Sequence, residues 1–390
     1  MTEPGLDYEH RVTPLELFFD LVFVFAFTQV TTLLSEDPTW RGLGHGLLVL
    51  TTLWWTWAGY AWLTNTVDPD EGEVRGAMLV AAGAMFVAAL AVPEVFGKHG
   101  VLFAAAFLVV NVMHLTLFAL AGRRLGDADL LAGVLRIAPA ALLGAALIMA
   151  AGFVDDPVRS LLWLGALAIG YVGPLFAGVS GFRVHPAHFV ERHGLILIIA
   201  VGESLVAIGL GARETLLGTG VISAAILGFV VAASFWLAYF DFFTIRAEQL
   251  LVDRSGDERT TLARDVYTYL HLPMIAGIVL FAFAMKTTLG HIHQELHTIP
   301  ALALCGGCAF YLFAYSGVRW RISRSVGSGR LVASVALAAL FPVALVVPAI
   351  VALALVAAVW VALHAYELIW WREARAETRA LRLPAPSSPT

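Results

Sequence analysis

The sequence predicts an all-α integral membrane protein of about twelve transmembrane helices, arranged as two parallel six-helix repeats. Of its 390 residues, 59% are hydrophobic and only 14% charged, and the mean hydropathy of +0.82 lies well outside the soluble globular range. Apolar runs of spanning length recur at about 14–34, 43–64, 75–96, 100–121, 132–151, 158–179, 190–211, 219–243, 266–288, 298–317, 331–347 and 349–371. Short stretches of the first half also recur in the second at similar spacings.

The first run, VTPLELFFDLVFVFAFTQVTTLL, is long and apolar enough to cross a bilayer yet carries Glu16 and Asp20 one helical turn apart. Thr13 is the expected N-cap, Pro14 opens the helix, and Glu16 suits its positive N-terminal end. Asp20 lies roughly 6 Å deeper, past the reach of the helix dipole, so it calls for a partner or a function. The second run is Trp-rich, with Trp54, Trp55 and Trp57, and the fourth carries Asn111 and His114.

The seventh run opens on His188, Glu191, Arg192 and His193 and continues into GLILIIAVGES. Glu203 lies about 18 Å of helical rise beyond Glu191, past the bilayer midplane, where no helix-end argument accounts for it. Gly202 beside it is expected to let another backbone approach closely, and Ser204 follows. Asp241 ends the eighth run, and His271 with Pro273 opens the ninth. The tenth holds both cysteines, Cys305 and Cys308, in CGGC, which reads as small residues at a helix contact. Only Pro348 separates the last two runs, so a tight turn is expected there.

The duplication rests on three matches. Leu117, Phe118, Ala119, Gly122 and Arg124 recur 195 residues later as Leu312, Phe313, Ala314, Gly317 and Arg319. Trp57 and Tyr60 match Trp236 and Tyr239 at a spacing of 179, and Glu16 matches Glu191 at 175. The drift follows from a loop at 244–265 that is longer than its counterpart at 65–74. The expected organisation is therefore residues 1–180 and 181–371 as six-helix repeats, with 372–390 a partly disordered tail. With the N-terminus inside, 19 of the 24 Lys and Arg residues fall on the cytoplasmic side, which puts both termini there. The first run does not read as a signal peptide, because it is too long and carries two acids.

Intramembrane carboxylates and imidazoles are the groups that relay protons or coordinate cations in pumps and transporters. The expected path uses Glu16, Asp20, His114, Glu191, Arg192, Glu203 and Ser204, and the expected partners are the lipid bilayer and an ion or small solute. The rival reading is a membrane enzyme acting on a lipid or isoprenoid, with Glu203 and His114 as acid and base and the tryptophans as an apolar wall; a non-transporting sensor is a third. The outer segment GHIHQELHT offers His291, His293 and His297 as weak metal-ligand candidates, but an exposed polar loop is the preferred reading. No P-loop, nucleophile elbow or dinucleotide fingerprint is present, and neither a cofactor nor a nucleic-acid partner is expected.

The motifs LELFFDLVFVFAF and HFVERHGLILIIAVGES resemble those of the bacterial low temperature requirement A family of multipass membrane proteins. The resemblance covers essentially the whole chain and singles out Glu16, Leu17, Phe18, Phe19 and Asp20, then Glu191, Arg192, Gly194, Gly202, Glu203 and Ser204. It implies a bacterial plasma-membrane location, which fits a chain whose cations include only Lys98 and Lys286 as lysines. The run from Phe19 to Phe23 is also similar to the Phe-Ser-Asp motif of a lysosomal-type potassium and proton channel family. Here Phe19 replaces the Ser, and Leu195 stands where a second Asp would align.

Overall fold

A computed structural model describes residues 11–213, 216–241 and 243–370; the tail expected from 372 onward lies outside them. The helices are α1 (Pro14–Glu36), α2 (Trp40–Thr64), α3 (Gly72–Ala91), α4 (Gly100–Leu125), α5 (Ala128–Ala151), α6 (Val158–Ala177), α7 (Pro186–Arg213) and α8 (Thr219–Phe240). They continue as the short α9 (Phe243–Val252) and α10 (Gly256–Ala263), then α11 (His271–Gly290), α12 (Thr298–Ser323), α13 (Ser328–Ala339), α14 (Phe341–Ala344) and α15 (Ala349–Trp370). A π-helical turn, Arg264–Tyr269, leads into α11. Among the described residues the protein is all-α, with no sheet.

Among the described residues, ten helical segments are long and apolar enough to cross a membrane. Two of the twelve expected spans fall outside that set, each for a physical reason. Helix α2 has the length, at 25 residues, but its tryptophans, threonines and glycines dilute its hydropathy. The run expected at 331–347 is broken into α13 and α14 around Leu340, where Pro342 removes a backbone donor. The segment expected as a plain loop at 244–265 instead holds α9 and α10.

The capping expected at the start of α1 is present as a reciprocal box: the Glu16 N–H donates to Thr13 Oγ1 (3.3 Å) and the Thr13 N–H donates to Glu16 Oε2 (2.9 Å). The turn before α15 is held from outside its own helix. The Ala349 and Ile350 N–H groups donate to the carbonyls of Gln294 (2.8 Å) and Ile292 (3.1 Å), so the backbone of the His-rich loop caps α15.

Helices α1–α6 and helices α7–α15 pack in a similar order. Helix α1 packs on α2 and α3, α3 on α4, α4 on α5, α5 on α6, and α6 returns to α2. Correspondingly, α7 packs on α8 and α11, α11 on α12, α12 on α13, α13 on α15, and α15 returns to α8. The two sets meet where α1, and to a lesser extent α2, lies against α7 and α11. Helices α11 and α12 are the most enclosed, and α6 is the most exposed.

Small residues set the closest helix approach. The buried CGGC stretch of α12 places Gly307 against Gly277 of α11, where a Cβ on Gly277 would lie 2.5 Å from the Gly307 carbonyl oxygen. The close approach expected at Gly202 does not occur, because that face of α7 meets nothing within 4 Å. It falls at Gly194 against the Phe240 ring and at Gly211 against the Lys286 backbone. Gly277→Ala is therefore expected to cost about 1–3 kcal/mol by overpacking, read as a lower thermal unfolding midpoint in detergent. Gly202→Ala is expected to leave the midpoint unchanged or raise it.

Candidate functional site

The site is built where α1 and α7 cross. Positions 16 and 20 are one turn apart on α1, and positions 188 and 192 are one turn apart on α7, so each pair presents one face to the other helix. Arg192 donates from Nη1 to Asp20 Oδ2 at 2.9 Å, and its Nε lies 3.4 Å from Glu16 Oε1. The other Asp20 oxygen accepts the indole N–H of Trp57 at 2.8 Å. Glu16, Asp20 and Arg192 have no solvent-exposed surface.

His188 completes the cluster, and its protonation follows from its neighbours. Asn65 Oδ1 accepts the His185 N–H at 2.8 Å, which fixes the amide orientation and turns Asn65 Nδ2 toward His188 Nδ1 at 3.1 Å. Nδ1 is therefore an acceptor, so the proton sits on Nε2, which donates to Glu16 at 3.1 Å. Two carboxyl groups therefore share one guanidinium.

Polar capacity is left over beside it. Arg192 Nη2 and His193 Nε2, both fully enclosed, have no hydrogen-bond partner among the described residues. His193 donates from Nδ1 to the Phe189 carbonyl at 2.8 Å and packs its ring against Trp57 and Tyr267, with His271 5.5 Å away centroid to centroid. His271 in turn gives Nδ1–H to the Val266 carbonyl and accepts from the Tyr239 hydroxyl at 2.9 Å. Beside them the π-turn presents Thr268, whose carbonyl and hydroxyl oxygens accept the indole N–H groups of Trp54 (2.7 Å) and Trp62 (2.9 Å).

The remaining expected residues are placed apart. Glu203 faces α1 two turns beyond Asp20, where Thr28 and Thr31 reach its two oxygens at 2.5 and 2.9 Å. No cation forms an ion pair with it among the described residues. Ser204 is buried, and its hydroxyl has no partner among the described residues. Glu191 is exposed and accepts the Val12 N–H at 3.3 Å. His114 donates to the Gly59 carbonyl at 2.9 Å in a cavity between α2, α4, α5 and α6, and lies outside the cluster. His291, His293 and His297 are exposed, and no three metal-ligating side chains converge anywhere among the described residues.

Trp57, Asn65, His188 and His193 are the members that the expected path lacked. His188 had a signal, one turn from Arg192 on the same helix face. The indole and amide donors had none, because their partners are more than 30 residues away in sequence.

The cluster predicts its own stability series. Arg192→Gln leaves Glu16 and Asp20 buried with no guanidinium between them and is expected to cost about 3–5 kcal/mol, read as a lower unfolding midpoint. Asp20→Asn leaves Arg192 paired with Glu16 one to one and is expected to cost less than Arg192→Gln.

No solved structure matches this chain. An uncharacterized protein of Rhizobium meliloti (strain 1021) is 31% identical over 322 residues, covering 80% of this chain and 77% of the relative. The family model described as bacterial low temperature requirement A protein matches residues 11–365, which include α1, α7 and the whole charged cluster between them. The chain therefore belongs to the bacterial low temperature requirement A family of multipass membrane proteins.

Proposed function

We propose that the protein moves an ion or small solute across the bacterial plasma membrane, along a path organised on the carboxyl groups between α1 and α7. The observation that carries this reading is the charge imbalance of the cluster. Two carboxyl groups face one guanidinium, and Arg192 and His193 keep unused polar atoms. An uncompensated charge in hydrocarbon must be met by a proton or a cation, which is how intramembrane sites couple charge to transport. Glu203, hydrogen-bonded by the hydroxyls of Thr28 and Thr31 farther along the α1–α7 seam, is the second station of the path.

The two six-helix repeats belong to the same reading. Both halves share one order of helix packing, with α2 and the α13–α14 pair counted as the eleventh and twelfth spans. Arg192 joins the first helix of one half to the first helix of the other, so the path runs along the axis that would relate them. The distribution of Lys and Arg supports both termini on the cytoplasmic side. The enzyme alternative needs Glu203 and His114 to act on one substrate. Glu203 is engaged by α1 and His114 by α2 within a separate cavity, which favours transport.

Flux of protons and monovalent cations into proteoliposomes tests the reading. Wild-type protein is expected to dissipate an imposed gradient. Glu203→Gln and Asp20→Asn, which both keep the side-chain shape and the second of which leaves one carboxyl to one guanidinium, are expected to abolish that flux with the protein still folded. Wild-type flux in both variants would overturn the proposal.

A further inference from the structure

A second site lies away from the charged seam. A cavity of about 130 Å³ sits between α2, α4, α5 and α6, closed on one side by the 178–182 turn and the π-turn before α11. Its walls are aromatic, with Trp55, Tyr60, Trp62, Phe118 and Phe182 prominent, and such an apolar cavity with a few convergent polar groups has the character of a ligand site.

Three polar atoms on this wall are uncommitted. His114 spends its Nε2 proton on the Gly59 carbonyl at 2.9 Å, so Nδ1 is a bare acceptor. The contact requires a glycine there, because a Cβ on Gly59 would lie 3.1 Å from His114 Nε2. Asn111 spends its amide N–H on the Phe107 carbonyl at 2.9 Å, which leaves Oδ1 as an acceptor. Trp55 Nε1–H is a donor with no acceptor among the described residues, and it would lie 3.8 Å from a Cβ built on Gly170. Asn111 keeps a second amide N–H, so these groups offer two donors and two acceptors, which match a hydroxyl group that gives one hydrogen bond and accepts others. None of the three is charged. A body of about six to eight heavy atoms fits, since an apolar cavity of about 150 Å³ accepts benzene.

We propose that this cavity binds a membrane-soluble apolar molecule of phenol size carrying a single hydroxyl group. The hydroxyl lies between Trp55, Asn111 and His114, and the apolar body lies against the aromatic walls. The site is independent of the ion path.

Fluorine NMR tests this with 4-fluorophenol titrated into the full-length protein in lipid nanodiscs, with empty nanodiscs correcting for partition. Wild-type protein is expected to give saturable binding, and fluorobenzene, which lacks the hydroxyl, to bind at least several-fold more weakly. Ala141→Phe fills the cavity and is expected to abolish binding of both probes. Asn111→Leu keeps the shape and is expected to remove the preference for 4-fluorophenol while fluorobenzene still binds. Three results would each overturn the proposal: no saturable signal above empty nanodiscs in the wild type, equal affinity for the two probes, or undiminished binding in Ala141→Phe.

Discussion

The guanidinium of Arg192, held between Glu16 and Asp20 with none of the three exposed, is the constraint on which the rest of the structure depends. In hydrocarbon no water can replace either partner, so the two helices carrying these charges must meet at one register. That register draws in others. Trp57 from α2 takes the second oxygen of Asp20, and Asn65 just after α2 orients His188. Helix α2 is thereby fixed against both α1 and α7 by directional contacts, in a setting where apolar packing against lipid gives little preference.

The interior beyond the ion pair is also polar, but differently. The π-turn before α11 leaves the Thr268 carbonyl and hydroxyl turned toward α2, where two indole donors take them up. An irregular backbone at this depth persists because protein donors, not lipid, face it. Glu203 belongs to a third kind of environment, in which two threonine hydroxyls and no guanidinium approach the carboxyl group. Ion-paired carboxyls are held in one state by their partner, whereas a hydroxyl can turn to donate or to accept. The α1–α7 seam therefore holds carboxyl groups in two different settings, one ion-paired and one bound by hydroxyls.

The outer loop shows how an eye-catching motif can serve through its backbone. Its histidines project outward, while the Ile292 and Gln294 carbonyls take the first N–H groups of α15. This is the support that lets the chain reverse at Pro348 between two apolar segments with no charge to mark the boundary.

The sequence by itself determined the membrane environment, most of the helices and the importance of α1 and α7, because hydropathy and helical spacing are local properties that need no partner to be read. It also marked Glu16, Asp20, Arg192 and Glu203, since a charge in a spanning segment is costly wherever it ends up. Tertiary structure decided which of those charges meet. Arg192 closes on Asp20 across 172 residues, Glu203 finds hydroxyls instead of a cation, and His114 turns away into a cavity of its own. It decided as well that Gly194 and Gly211, not Gly202, face a neighbour, and that the run at 331–347 breaks in two. Those outcomes depend on the rotation of one helix against another, which is set by packing across the whole bundle and leaves no trace in the spacing of residues along a single run.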